Sequence, residues 1–311
     1  MISIYYDSVF LEHNTGRHPE NAGRLRPVLE QLGREEWRAK LEWREWQPMS
    51  AEQIVRVHKA EHLDGIRELI GRGGGYIEQD TVVSARSLDA AMKAAGAVGD
   101  AMRRVVEGEA TKAFCLVRPP GHHALPERPM GFCLLNNVAL GARLAIDELS
   151  LDRVLIVDWD VHHGNGTQDI FWTDPQVGFF SSHRWPFYPG TGDSHETGSG
   201  KGLGTTRNLP IAFGTAREEI VSRFTTELEA FAERLRPQLV IVSAGFDAHR
   251  QDPVGSLGLT SEDFEPLTRA VREIAATHCA GRLVSVLEGG YNPAALSECV
   301  EVHLRELSRE T

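Results

Sequence analysis

Asp158-Trp159-Asp160-Val161-His162 places polar side chains on alternate positions, so an extended backbone would project all three to one face. That spacing suits chelation, and it also suits a solvent-facing strand end. Asp247 follows an apolar run and the turn-forming Ala244-Gly245, and would join the first cluster if the two strands are neighbours. Taken alone, it reads equally as an exposed turn aspartate. Two carboxylates and one imidazole leave a fourth coordination position open for water, as a catalytic zinc ion requires, whereas structural zinc prefers a closed, thiolate-rich set. The same donors accept Fe2+.

His122 and His123 follow the rigid turn Pro119-Pro120-Gly121. Histidine is the usual general base near neutral pH, so a tandem pair beside a metal site is a candidate proton-transfer unit. Tyr291, on a flexible turn after Glu288-Gly289-Gly290, is a catalytic hydroxyl or a core or capping tyrosine. Phe132 and Tyr188 lie in different loops and could wall an apolar slot, although aromatics also serve as core. His183, His249 and Asp252 read as loop residues or as partners of these groups.

Five short β-branched apolar runs lead into the polar clusters: Ala113 to Val117, Val154 to Val157, Val177 to Phe180, Leu239 to Val242 and Leu283 to Leu287. Continuous rather than alternating runs predict strands buried on both faces, as in a parallel sheet. Amphipathic helices lie between them. Ser50-x-x-Gln53 and Thr215-x-x-Glu218 read as capping boxes, Asn292-Pro293 as an N-cap with proline at the first helical position, and Gly281 as the end of a helix starting near Ser261. The expected architecture is a three-layer α/β fold, whose ligand sites lie beyond the carboxyl ends of the strands. His183 to Asn208 carries six glycines and little periodicity, the mark of a functional or mobile loop.

The 311 residues suit one α/β domain with a large core. Cys115, Cys133, Cys279 and Cys299 form no CxxC pair, which predicts reduced, buried thiols and a metal held by His and carboxylate. A formal charge of -11 excludes a dedicated nucleic-acid binder. The opening MISIYYDSVF has no basic stretch followed by a long apolar one, and no window approaches a membrane span, so the expectation is a cytoplasmic protein.

The motifs RPPGHH (Arg118 to His123), GFC (Gly131 to Cys133), DWDVHHGNGTQ (Asp158 to Gln168), YPGTGD (Tyr188 to Asp193), GFDAHRQDP (Gly245 to Pro253) and EGGYN (Glu288 to Asn292) occur in order. Together they strongly resemble the histone deacetylase family, including bacterial amidohydrolases and acetylpolyamine hydrolases, from His13 through Asn292. The resemblance implies an arginase-like α/β sandwich, a mainly parallel sheet flanked by helices, as a single catalytic domain over residues 1–311. It implies a deacetylase or related amidohydrolase acting on an acetylated lysine side chain or a small N-acetylated amine, with an acetylpolyamine or a longer acyl chain as the alternative substrates.

By the same resemblance Asp160, His162 and Asp247 would bind one Zn2+ per chain, with His122, His123 and Tyr291 catalytic. Gly131, Phe132, Tyr188 and Gly289 would form the substrate channel, and Arg24 would line an internal acetate channel. Asp158 would orient His122 and, with Ser181, border a structural K+, while Asn165 would stand beside His123. Asn165 and EGGYN follow the class II form, where class I members carry Asp at the former position. Val254 stands where the vertebrate polyamine-selective branch has an acidic gatekeeper, and Asp80 does not align cleanly with the rim aspartate that grips peptide backbone in class I. Two other classes share some of these features. An arginase-like ureohydrolase would need two manganese ions and more carboxylates, and a non-catalytic acyl-lysine binder would have no use for Tyr291 and both histidines.

Overall fold

The apolar runs become parallel strands because side chains that are apolar on both faces leave no polar side for water. The computed structural model describes residues 1–309. Its strands are β1 (Ile2–Tyr5), β2 (Leu41–Trp43), β3 (Gly75–Glu78), β4 (Thr81–Val83), β5 (Lys112–Cys115), β6 (Val154–Asp158), β7 (Val177–Trp185), β8 (Thr206–Ala212), β9 (Leu239–Ala244) and β10 (Leu283–Leu287). Eight of them form one sheet in the order β2-β1-β5-β10-β9-β6-β7-β8, and every neighbouring pair is parallel. β3 and β4 form a separate antiparallel hairpin. All residues of β6, β9 and β10 are buried, and each large aliphatic side chain among them contributes roughly 1.5–3 kcal/mol.

The helices are α1 (Leu25–Leu32), α2 (Glu35–Arg38), α3 (Ala51–Ile54), α4 (Ala60–Gly71), α5 (Ser87–Glu107), α6 (Asn137–Asp147), α7 (Asn165–Ile170), α8 (Arg217–Leu235), α9 (Phe264–His278) and α10 (Pro293–Leu307). α5 and α6 pack on each other and against β5, β10, β6 and β9. α8, α9, α10 and α1 pack in series, with α8 against β7 and β8 and α9 against β9 and β10. The result is helix–sheet–helix layering, the three-layer α/β architecture expected from the sequence. Among the described residues no helix is long and apolar enough to cross a membrane.

Two of the predicted caps form. Ser50 and Gln53 make both bonds of a capping box, and the Asn292 side chain accepts from Ala294 N and Ala295 N ahead of α10. Gly281, at φ +82°, returns its N–H to Ala275 O after α9, which begins at Phe264 behind a short 3-10 turn. Thr215 is a correction: its hydroxyl donates to Ala212 O, and α8 starts one residue later without a side-chain cap. His183 to Asn208 is also less loop than expected. β7 continues to Trp185 and β8 begins at Thr206, and the Glu196 carboxylate ties the segment between them to Gly192 N, Asp193 N and Gln168 Nε2.

Candidate active site

The central strand order β5-β10-β9-β6 sets four carboxyl ends side by side, so that RPPGHH, EGGYN, GFDAHRQDP and DWDVHHGNG meet. β6 and β9 are direct neighbours, which brings Asp247 to Asp160 and His162. Their ligand atoms lie within 4.8 Å of one another and all three residues are buried. His162 Nδ1 is 3.0 Å from Asp160 Oδ1 and 3.1 Å from Asp247 Oδ2.

The backbone does not stay extended through this segment. β6 ends at Asp158, whose Oδ1 accepts from Asp160 N, and Asp160 Oδ1 in turn accepts from His162 N, both at 3.0 Å. The expected common face is therefore lost at Asp158, which points to His122 instead of joining Asp160 and His162.

The cluster suits a cation. Asp247 Oδ2 is buried, and His162 Nδ1 at 3.1 Å does not meet it in hydrogen-bonding geometry; burial and the neighbouring Asp160 charge push the carboxyl up to about 7. Burial disfavours a charge on His162, but Asp160 and Asp247 raise it to about 9. Buried carboxylates packed this closely are costly unless a cation pairs them. Glycine is required beside them. A Cβ on Gly289 would come within 2.4 Å of Asp247 Oδ2 and 2.5 Å of Asp160 Oδ2, while its amide donates to Asp160 Oδ2 at 2.9 Å.

The tandem histidines diverge. His122 Nδ1 is 2.9 Å from Asp158 Oδ2, and although burial opposes it, Asp158, Asp160 and Glu288 raise its pKa to about 10. His123 Nδ1 is 2.7 Å from Asn165 Oδ1, and burial together with the His122 and His162 charges holds it well below the usual histidine range. With Asn165 Oδ1 accepting, the His123 proton sits on Nδ1 and Nε2 keeps a lone pair.

A slot of about 160 Å³ opens beside His123 and His162. Gly131, Phe132, Tyr188 and Tyr291 line it, together with Asp80, Phe187 and Val254. Gly289 is absent from that lining and packs against the carboxylates instead. Tyr188 is 39% exposed, which marks the open end. Phe132 sits at φ +70°, an uncommon backbone for a bulky residue, held by its N–H on Thr81 Oγ1 and by the edge of His18 at 4.5 Å. Gly131 passes so near His123 that a Cβ would come within 2.4 Å of the ring.

Arg24 is fully buried, with Nε on Gly290 O, Nη2 on Glu288 O and Nη1 on Glu20 Oε1, and its guanidinium lies 4.8 Å over the Tyr291 ring. Ser181 pairs with Asp158 in the β6–β7 register, and its hydroxyl bonds His183 Nδ1. Asn165 belongs with His123, apart from that pair.

Several residues that shape the site were not singled out from the sequence. Glu288 accepts from Gly121 N, His122 N and the Ser243 hydroxyl, which anchors the histidine turn. Its signal was a carboxylate directly behind a largely apolar run that is buried throughout. Glu20 pairs with both Arg24 and Arg118. Asp80, which motif alignment left unplaced, is brought to the slot by the β3–β4 hairpin. His122, Cys133 and Glu288 form a second group of metal-type donors, but the Glu288 oxygens already carry three hydrogen bonds that an ion there would have to share.

The family model described as histone deacetylase domain matches residues 18–307. A probable deacetylase of Archaeoglobus fulgidus is 39% identical, covering 93% of this chain and 81% of its own length. The histone deacetylase-like amidohydrolase of Pseudomonas aeruginosa is 38% identical over 93% of this chain and 76% of its own. The solved HD domain of HDA15 superposes with a TM-score of 0.93 at 34% identity, covering 99% of this chain and 88% of that one. The chain belongs to the histone deacetylase family. It is a hydrolase of amide bonds, a deacetylase or amidohydrolase.

Proposed function

We propose that the chain is a zinc-dependent deacylase cleaving the amide of acetyl-lysine or a small N-acylated amine. The observation that carries this reading is the buried cluster of Asp160, His162 and Asp247, whose Asp247 Oδ2 makes no aligned hydrogen bond, beside a slot lined by His123, His162 and Tyr291. Asp160, His162 and Asp247 would hold one Zn2+, or Fe2+ in its place. When bound, the ion polarises the amide carbonyl and acidifies water.

His123 is kept neutral with Nε2 free, so it takes the proton of the attacking water and returns it to the departing amine. His122, held charged by Asp158, contributes a fixed positive charge. Two neighbouring groups pushed to opposite protonation states is the usual mark of divided acid–base roles. The Tyr291 hydroxyl donates to the developing oxyanion. Phe132 and Tyr188 flank the substrate's alkyl stem and exclude water. Arg24 spends three of its five N–H donors on Gly290, Glu288 and Glu20, and the remaining two would meet released acetate. Asp158 and Ser181 would border a potassium ion, and the four free, buried cysteines support a reducing, cytoplasmic setting.

An acetylpolyamine is the second substrate reading, because the Asp80 carboxylate lines the slot while Val254 adds no acidic group. A turnover panel of acetyl-lysine peptides, acetylpolyamines and longer acyl-lysines, with metal measured on the same sample, tests the proposal. One zinc per chain with turnover on one of these classes is expected. Zinc-loaded protein inert on all of them would overturn it, and two manganese ions per chain would favour a ureohydrolase.

A further inference from the structure

We infer that Asp252 is a positioning residue for Tyr291, coupling the slot wall to that tyrosine; the inference rests on the oxyanion role proposed above. The Asp252 carboxylate is buried and accepts three backbone N–H groups. Oδ1 takes Val254 N and Gly255 N at 2.9 Å each, and Oδ2 takes Tyr291 N at 2.6 Å. Val254 and Tyr291 both line the slot, so one side chain ties two of its walls together.

Tyr291 needs such an anchor. Gly289-Gly290 precede it and place few restraints of their own on the backbone, with Gly290 at φ +125°. Arg24 holds the carbonyls of Glu288 and Gly290, and Gly289 is held through its amide and its carbonyl, which accepts from Phe246 N. The Tyr291 amide is the next backbone group along, and Asp252 is its partner. A charged acceptor makes this bond short and directional. The bond is not what starts α10, because Asn292 caps that helix with its own side chain. What Asp252 sets is where the Tyr291 Cα, and hence its hydroxyl, stands. An error of about 1 Å at such a group costs about a hundredfold in rate.

Asp252→Asn is the informative substitution. Two N–H groups meet Oδ1 and one meets Oδ2, so the new amide keeps its oxygen toward Val254 and Gly255 and turns NH2 against the Tyr291 N–H. We expect kcat to fall about tenfold to a hundredfold with KM within about twofold. Bound zinc should be unchanged, and hydrogen exchange across residues 288–292 should be faster. In the Tyr291→Phe background, Asp252→Asn should cost little further, because the group it positions is already gone. Asp252→Glu, which restores the charge, should recover part of the loss; it also replaces Asn in the same cycle if the Asn variant does not fold. Wild-type kcat in the Asn variant, or a full further loss on top of Tyr291→Phe, overturns the inference and leaves the role of Tyr291 standing. If Tyr291→Phe alone keeps its turnover, it is the oxyanion role that fails.

Discussion

The rings of His122 and His123 lie 4.0 Å apart, yet one faces the carboxylate of Asp158 and the other the amide of Asn165. Burial disfavours charge on both rings; the Asp158 and Asp160 carboxylates overcome it at His122 and raise its pKa, whereas at His123 burial and the adjacent His122 charge lower it.

Asn165→Asp should erase that difference. A carboxylate in place of Asn165 Oδ1, 2.7 Å from His123 Nδ1, favours the imidazolium and raises the His123 pKa. A base must be neutral to act, so the acidic limb of the kcat/KM profile should move to higher pH. A limb that stays in place would show that His123 is not the base.

Tyr291→Phe should fold normally and keep its metal, because Asp160, His162 and Asp247 supply the three proposed donors without it. Loss of one oxyanion donor costs on the order of a hundredfold to a thousandfold in kcat. Unchanged turnover on an acetyl-lysine substrate would remove Tyr291 from the mechanism.

Asp247→Ala and Gly289→Ala should both lower bound zinc, the first by deleting a donor and the second by driving a methyl group into the two carboxylates. Metal analysis of the purified variants is the check. Full occupancy in Asp247→Ala would refute the ligand set.

Glu20→Gln should be strongly destabilising, since it leaves Arg118 and Arg24 buried without their anion, a loss of about 3–5 kcal/mol. Burial raises the Glu20 pKa, but Arg118 and Arg24 outweigh it and hold the carboxyl well below its ordinary range. A depressed carboxyl adds stability above its unfolded value of about 4.3, and that stability is lost as pH falls toward the folded value. Wild type should therefore lose stability faster than Glu20→Gln below about pH 4. Parallel denaturation curves across that range would contradict the pairing.

Phe132→Ala should raise KM for acyl-lysine substrates, because it removes a wall of the slot and its edge contact with Tyr291 at 5.6 Å. An unaltered KM would place the substrate's stem elsewhere.

Much of this protein was legible in the chain itself. Continuous apolar runs announced β5, β6, β7, β9 and β10, since burial on both faces must be written into every residue. The outer strands escaped notice because edge strand β2 and its neighbour β1 are short and the other edge strand, β8, carries Pro210, which an edge tolerates. Asp160, His162 and Asp247 were identifiable as donors by type, spacing and place after a strand.

Which of them stand together was another matter. Spacing along DWDVH assumed an extended backbone, and only the turn after β6 separated Asp158 from the other two. The neighbouring of β6 and β9, the divergence of His122 from His123, and the hold of Glu20, Glu288 and Asp252 on the site all join residues far apart in the chain. Local propensity and hydrophobic pattern are properties of short stretches, and they determined the elements and the chemistry at the strand ends. Strand order and the burial of charge depend on the whole packed sheet, so the assembly of those ends into one site was decided by the tertiary structure.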